Sequence, residues 1–248
     1  MQNLKFRKIS SGNYDLNKFL YGGYDVDIIT TIYGPAGTGK TNFCLMAAVS
    51  QAKKESKVIF IDTEGGFSIE RFKQLAGEDY EKFLKNIILL KAVKFEEQKK
   101  IFSKLLKEIK SKGKIGLIVV DGMAMLYRLE LAEAGKIKEG NKVQEVNQEL
   151  AKQMRILAEI SRNMNIPVIV TNQGYSEFLS KEDFEKGKQK EFQMVGGDIL
   201  KYWSKCIIEM QNNKGKRKII IKKHRSLPEK ELSFFITNEG IKKSFRLF

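Results

Sequence analysis

Short apolar runs alternate with amphipathic stretches along most of this 248-residue chain. Four of the runs are rich in β-branched residues and have the length of strands buried on both faces: 57–62, 86–90, 115–121 and 166–171. Between them, 95–111 and 141–164 repeat apolar residues at helical spacing. This alternation predicts an α/β domain whose central sheet is mostly parallel and flanked by helices.

The C-terminal part of the chain has a different pattern. Three strand-like runs, at 205–211, 216–223 and 231–237, are joined by turn-forming residues and predict antiparallel hairpins appended to the parallel sheet. The first residues contain several glycines and a short amphipathic turn. The sequence therefore predicts a lead-in over 1–25 and a single domain over 26–248.

Two polar stretches predict loops. Charges and glycines dominate 129–140, and 174–193 has no periodic apolar pattern. A loop of the second length inside a compact domain usually has a function.

One segment, following a β-branched run and preceding a helical one, fits the phosphate-binding pattern G-x-x-x-x-G-K-[ST]: Gly34, Pro35, Ala36, Gly37, Thr38, Gly39, Lys40 and Thr41. Its glycines let successive backbone N–H groups converge on phosphate oxygens at a helix N-terminus. Lys40 is expected to reach the β- and γ-phosphates, and the Thr41 hydroxyl to hold Mg²⁺.

Three further polar residues follow predicted strands, at the edge where an open α/β sheet binds its ligands. Asp121 would help to hold Mg²⁺, Glu64 could orient or deprotonate an attacking water, and Gln173 could detect a γ-phosphate. Each has a plainer alternative: Asp121 as the cap of a turn, Glu64 as a lone loop acid, and Gln173 as a polar strand cap.

Lysine and arginine number 45 against 30 aspartate and glutamate, which gives a net charge of +15. This balance favours a polyanionic partner such as nucleic acid, although a lysine-rich surface from a biased genome or a thermophile is the alternative. Cys44, Cys206 and the single His224 lack metal-site spacing, and no apolar run reaches 18 residues. We therefore expect a reduced, cytoplasmic protein without membrane contact.

Five segments occur in the order and spacing of a known family: 34–41, 60–65, 117–121, 170–173 and 196–200. Together they resemble the ATPase core of the RecA/RadA recombinases, over nearly the whole chain. The resemblance implies a RecA-like P-loop fold with ATP and Mg²⁺ as cofactors. Because the sequence shows no counterpart of the helix-hairpin-helix domain of full-length archaeal and eukaryotic recombinases, we expect it to resemble their short archaeal paralogues.

The resemblance also implies roles for single residues. Glu64 matches the catalytic glutamate and would act with Lys40, Asp121 matches the Walker B aspartate, and Gln173 matches the nucleotide-sensing glutamine. Arg71 matches the arginine that stacks on adenine.

Two stretches correspond to the DNA-binding loops of the family, 129–140 and 174–195. Their lysines are the candidate contacts to single-stranded or branched DNA: Lys136, Lys138, Lys181, Lys186, Lys188 and Lys190. A RadA-type recombinase and a second copy of the chain are the implied protein partners.

Lys223 and Arg225 match a K-x-R of related KaiC-type ATPases that reaches the γ-phosphate across a subunit interface. Exposed basic residues at a strand end are the plainer alternative. Two features depart from the recombinase pattern. Gly122 replaces the hydroxyl residue that commonly follows the Walker B aspartate, which predicts slow turnover, and 129–140 lacks the arginine-glycine pattern of strand-exchange proteins.

Three functions remain in competition at this point. The first is an accessory protein of homologous recombination and DNA repair that binds ATP and DNA, modulates a RadA-type recombinase and hydrolyses ATP weakly. The second is a KaiC-like regulatory ring ATPase that binds proteins rather than DNA, and the third is a DNA-stimulated motor with fast turnover.

Overall fold

The computed structural model describes residues 8–111, 113–136, 141–176, 192–213 and 215–244. These ranges contain twelve strands: β1 (Lys8–Ile9), β2 (Tyr24–Asp25), β3 (Ile29–Gly34), β4 (Lys57–Asp62), β5 (Ile87–Lys91), β6 (Ile115–Asp121), β7 (Val168–Ser176), β8 (Phe192–Met194), β9 (Cys206–Asn213), β10 (Lys216–His224), β11 (Glu231–Thr237) and β12 (Gly240–Lys243). They also contain eight helices: α1 (Tyr14–Phe19), α2 (Lys40–Ala52), α3 (Ile69–Ala76), α4 (Tyr80–Leu84), α5 (Phe95–Ser111), α6 (Met125–Ala134), α7 (Lys142–Met164) and α8 (Gly197–Trp203).

One large sheet organises the fold, with strand order β12-β11-β10-β9-β3-β7-β6-β4-β5 and β8 paired to β7. The strands from β5 to β9 along this path run parallel, whereas β9 to β12 form successive antiparallel pairs. Both the mostly parallel sheet and the C-terminal antiparallel hairpins predicted from the apolar pattern are confirmed.

The sheet separates two hydrophobic clusters, and successive residues of β4 alternate between them. Val58 and Phe60 pack in the cluster that contains α2, whereas Ile59 and Ile61 pack in the cluster that contains α5 and α7. Because helices cover both faces, neither side of the strand can be polar, which explains the uninterrupted apolar runs of the sequence.

The lead-in packs on the same core as the rest of the described chain. Leu16, Phe19 and Leu20 are buried in the cluster around α2. Asn13 accepts a bond from the backbone of Leu16 at the start of α1, and its side-chain amide donates to the carbonyl of Ile241 in β12. The start of the described chain is therefore held against its last strand.

Both predicted loops include residues that the structure places in helices or strands. The loop prediction for 129–140 is wrong over residues 129–134, because α6 continues through Ala134 with Leu126, Tyr127 and Ala134 buried. Four residues of that stretch, 137–140, lie outside the described residues. The prediction for 174–193 is wrong at both ends, since β7 continues to Ser176 and pairs with β8 from Phe192. The segment between them, 177–191, is also outside the described residues.

Several short elements were not predicted from the sequence, among them β1, β2, β8 and α8. The short helix α4 and the last strand β12 have too few residues to show a period. Among the described residues, no helix has the length and apolar character needed to cross a bilayer.

Candidate functional site

Strand register brings the predicted site residues to one edge of the sheet. Gly34, the last residue of β3, lies opposite Gln173 of β7, and Asp62 of β4 lies opposite Asp121 of β6. Since these strands are parallel, the residues that follow them emerge on the same side.

The phosphate loop connects β3 to α2 at this edge. Gly37 and Gly39 have φ angles of 73° and 103°, a left-handed conformation that favours glycine. The ammonium of Lys40 donates to the carbonyls of Gly34 and Pro35, at 2.9 Å each. Burial lowers the pKa of Lys40, and the carboxylates of Glu64 and Asp121 oppose that effect. The loop therefore places a partly desolvated cation beside two acids.

Thr41 and Asp121 form the candidate magnesium site. The Thr41 hydroxyl donates to Asp121 Oδ2 at 2.7 Å, and a Cβ built on Gly66 would lie 3.1 Å from the same oxygen and 3.2 Å from the hydroxyl. The absence of a side chain at Gly66 leaves room beside a hydroxyl and a carboxylate, the oxygen ligands that Mg²⁺ uses together with substrate phosphates. These residues therefore fit the metal predicted from the sequence.

Burial raises the pKa of Asp121, whereas hydrogen bonds from Thr171 and Thr41 lower it. Thr171 Oγ1 donates to Asp121 Oδ1 at 2.6 Å and accepts a bond from the backbone of Gly122 at 2.8 Å. Both Asp121 and Thr171 are almost fully buried. Two threonine hydroxyls thus orient the two oxygens of one carboxylate.

The structure explains why a glycine occupies position 122, which the sequence alone did not reveal. Its φ is 96°, and a Cβ there would lie 2.4 Å from Thr63 Oγ1 and 2.6 Å from Glu64 Cγ. Thr63 also donates to the carbonyls of Asp121 and Gly122. Thr171, on the neighbouring strand, gives Asp121 a hydroxyl contact that Gly122 cannot supply, and slow turnover stays a prediction.

Glu64 is brought to Gln173, whose side-chain amide donates to Glu64 Oε2 at 3.1 Å. The turn that carries Glu64 is fixed by Asp62, which accepts bonds from the backbone N–H groups of Glu64, Gly66 and Phe67 at 3.1–3.2 Å. Sequence reasoning missed Asp62, although a buried aspartate at the end of an apolar strand was a usable signal.

Arg71 lies on α3, with its guanidinium directed at the turn between β11 and β12. Its Nε donates to Asn42 Oδ1 at 2.8 Å. Nη1 donates to Gln74 Oε1 and to the carbonyl of Asn238, while Nη2 donates to the carbonyls of Thr237 and Gly240. Because guanidinium N–H bonds all lie in its plane, only its two faces remain for another ligand.

Lys223 and Arg225 lie at the opposite edge of the sheet from Lys40. His224, between them, pairs with Cys206, and Cys206 pairs with Thr30 near the start of β3. Lys223 donates to the carbonyl of Lys201, and both Nη atoms of Arg225 donate to the carboxylate of Asp27. The chain cannot bring either residue to its own phosphate loop while this sheet is intact.

Of the predicted DNA-contacting lysines, the structure describes Lys136, which is exposed just after α6. Lys138, Lys181, Lys186, Lys188 and Lys190 lie outside the described residues.

Comparison with known proteins bears on this arrangement of loop, acids and amide. The family model for Rad51 matches residues 2–244. The chain belongs to the Rad51 family. Two relatives named DNA repair and recombination protein RadB are each 40% identical to this chain. The one in Methanobrevibacter smithii aligns over 92% of this chain and 93% of its own length, and the one in Methanocaldococcus jannaschii over 91% and 98%. The relative of that name in Methanococcoides burtonii is 37% identical over 98% of this chain and its own full length.

Proposed function

We propose that this protein binds ATP and DNA, assists homologous recombination and DNA repair, and modulates a RadA-type recombinase while hydrolysing ATP slowly. The observation that carries the proposal is the convergence of Lys40, Thr41, Glu64, Asp121 and Gln173 at one sheet edge. The name shared by its relatives, DNA repair and recombination protein RadB, supplies the process.

Each of these residues has a role that its position supports. Lys40 and the N–H groups of the phosphate loop would bind the phosphates, and Thr41 with Asp121 would hold Mg²⁺. When bound, the magnesium triphosphate would supply the phosphoanhydride bond that is cleaved. Lys40 would neutralise part of the negative charge of its phosphates. Glu64, fixed by the turn around Asp62, would orient and deprotonate the attacking water.

Gln173 would connect nucleotide occupancy to the segment after β7. Its amide donates to Glu64, so a γ-phosphate beside Glu64 would compete for the same N–H group. The segment 177–191 follows directly and contains four of the six lysines proposed to contact DNA. ATP would therefore act mainly as a conformational ligand.

Arg71 would stack on the adenine base. Asn42, Gln74 and the carbonyls of the β11–β12 turn occupy the edge of the guanidinium, which leaves its planar faces for a planar ring. This geometry supports the role that the family resemblance implies.

DNA binding rests on the net charge of +15 and on Lys136, Lys138, Lys181, Lys186, Lys188 and Lys190. Contacts of this kind are made to phosphates, so they weaken with salt. Fluorescence anisotropy with a labelled single strand, at low and high salt and with and without ATP, tests the role. We expect salt-sensitive binding, and no binding at low salt in either nucleotide state would remove DNA from the proposal.

A second candidate function is a KaiC-like ring ATPase that binds proteins. The position of Lys223 and Arg225 at the far edge of the sheet favours it, because these residues could serve only the nucleotide of another copy. Light scattering separates the two functions. A discrete ATP-dependent hexamer that is indifferent to DNA would support the ring ATPase, whereas capture of the host's RadA-type recombinase in a pull-down would support the accessory role.

Slow turnover is tested by steady-state release of phosphate with saturating single-stranded DNA. A rate far below one per second supports a nucleotide-controlled accessory protein, at the low end of enzyme turnover. Fast DNA-stimulated turnover would instead favour a motor.

A further inference from the structure

Asn42 follows the candidate magnesium ligand Thr41 and has been described so far only as one of the groups around the Arg71 guanidinium. Its side chain lies in the first turns of α2 and is only 8% exposed. Asn42 Oδ1 accepts the Nε–H of Arg71 at 2.8 Å, and Asn42 Nδ2 lies 3.9 Å from Met46 Sδ. The residue thus links the phosphate-loop helix to α3.

Chemistry fixes the orientation of this amide. Arginine has donors but no acceptor, so only the oxygen of Asn42 can face Nε. The sulfur of Met46, a weak acceptor, lies on the nitrogen side. Exchanging the two amide atoms would place two donors against each other, and the contact with Arg71 has therefore one stable arrangement.

The bond to Nε completes the anchoring of the guanidinium. The Nη atoms are held at the far end of the group by the carbonyls of Thr237 and Asn238, at 2.7 and 3.1 Å. Gln74 Oε1 and the carbonyl of Gly240 accept the remaining Nη–H groups, and none of these four acceptors belongs to the phosphate-loop helix α2. Asn42 is therefore the residue that fixes the guanidinium plane relative to the phosphate loop.

We infer that Asn42 is a positioning residue that sets the face of Arg71 for the base of a bound nucleotide. The inference rests on the proposed function, since it assumes that a nucleotide binds at Lys40 and stacks on Arg71. Because residues 41 and 42 are adjacent on one helix, the metal end and the base end of the nucleotide would be set by neighbouring side chains.

The test compares Asn42→Leu, which removes the acceptor at nearly constant volume, with Asn42→Asp, which keeps an acceptor oxygen at the same place. Calorimetry with Mg²⁺ measures the dissociation constants of ATP and of inorganic tripolyphosphate, which has no base. The ratio of the two constants reports base binding alone. The added charge of the aspartate repels both ligands, so its effect largely cancels in that ratio.

We expect Asn42→Leu to reduce the preference for ATP over tripolyphosphate about fivefold, the size of an arginine–ring contact. Asn42→Asp should keep the wild-type preference within about twofold, although both ligands bind less tightly. Asn86→Leu is the matched control, because Asn86 bonds to the carbonyl of Ala52 at the other end of α2. It should leave the ratio unchanged.

Asn42→Ala removes the same acceptor and carries the same expectation, so a folding defect in Asn42→Leu does not end the test. An unchanged ratio in folded Asn42→Leu or Asn42→Ala, with a wild type that prefers ATP, would overturn the inference and leave the proposed function intact. A wild type that binds neither ligand would overturn the proposed function itself.

Discussion

Two regions of the molecule contribute to the candidate nucleotide site in different ways. The parallel half, made of β3 to β7, supplies side chains at its strand ends, among them Asp121 and Gln173. The antiparallel extension, made of β10 to β12, covers the phosphate loop from outside. A Cβ on Gly39 would lie 2.9 Å from Ile236 Cδ1 of β11, and the carbonyls that hold Arg71 belong to the turn after β11.

The difference concerns what fixes each contact. In the parallel half, register alone decides which side chains meet, because strands that end together present their next residues together. In the antiparallel extension, the contacts named above come from an apolar side chain and from backbone carbonyls, which almost any sequence offers, and Arg217 of β10 adds one bond to the carbonyl of Gly37 at 3.5 Å. The first region determines the chemistry, and the second determines where the phosphate loop and Arg71 are held.

The largest expected effect tests whether the two regions form one cooperative unit. Phe234 of β11 is fully buried, with its ring 5.4 Å from that of Phe43 in the phosphate-loop helix. We expect Phe234→Ala to lower the free energy of unfolding by about 3–5 kcal/mol, because it leaves a cavity between the regions. Denaturant unfolding followed by circular dichroism measures the change.

Phe235→Ala is the matched control on the same strand. Phe235 is 47% exposed and faces away from the core, so its loss should cost about 0.5 kcal/mol or less. If Phe234→Ala melts the antiparallel extension in a separate early transition while the main transition keeps its midpoint, the two regions are independent units and the comparison must be revised.

The second prediction concerns Lys40, the cation of the phosphate loop that leads out of the parallel half. Lys40→Ala should weaken ATP binding on the order of 100-fold, since it deletes the charge-assisted bonds to phosphate. Calorimetry with MgATP measures the loss. Lys54→Ala, just beyond the same helix, should bind ATP as the wild type does.

Retention of ATP affinity by Lys40→Ala would place the nucleotide elsewhere. The free energy of unfolding without nucleotide should change little, because the bonds of Lys40 to Gly34 and Pro35 join residues only five and six positions apart and hold no distant elements together. A large loss of stability would mean that Lys40 mainly holds the loop together.

The third prediction concerns Thr171, which orients Asp121. Thr171→Val keeps the shape of the side chain but leaves the backbone N–H of Gly122 buried without its acceptor. We expect a loss of about 1–3 kcal/mol in the free energy of unfolding and a higher Mg²⁺ concentration for half-maximal ATP binding. A magnesium titration of ATP binding gives the second value.

Thr31→Val is the control, because it removes another buried hydroxyl of the same sheet, one that bonds to Ser204 at 2.6 Å. It should cost stability without moving the magnesium midpoint. Equal midpoints in both variants would show that Thr171 acts on folding alone.

The sequence allowed most of the parallel half to be predicted. The ends of β4 and β6 follow the apolar runs to the residue, and Ser68 caps α3 by accepting the backbone N–H of Arg71, as a serine before a helix commonly does. Apolar runs buried on both faces leave little ambiguity about where a strand ends. The residues after those ends were consequently recognised.

What could not be predicted depends on contacts between distant residues. Thr63 and Thr171 carry no signal in the sequence, because only the folded sheet brings their hydroxyls to Asp121 and Gly122. Asn42 likewise has no local signal, since its partner Arg71 lies on another helix. The loop predicted from residue 129 failed because tertiary packing of Leu126 and Tyr127 stabilises a helix in a charged stretch.

The smallest expected effect concerns the ion pair between Asp27 and Arg225, on the side of the sheet opposite the nucleotide site. Asp27 accepts both Nη groups of Arg225, and this hydrogen bonding holds the pKa of the Asp27 carboxyl below its usual range. Asp27 is 38% exposed and Arg225 also lies 3.6 Å from Asp25, so solvent and a second acid limit the loss. Asp27→Asn should cost about 0.2–1 kcal/mol at neutral pH.

The sign of the pH dependence distinguishes this ion pair from general packing. A carboxyl whose folded pKa is lowered stabilises the protein above its unfolded pKa of about 3.9, and the contribution disappears as the pH falls through the folded value. The stability difference between wild type and Asp27→Asn should thus be constant from neutral pH down to about pH 5 and vanish at lower pH. Parallel unfolding curves at several pH values measure it. A difference that persists unchanged at acid pH would mean that Asp27 stabilises the protein through packing and not through its charge. The antiparallel extension would then not depend on this ion pair to hold Arg225.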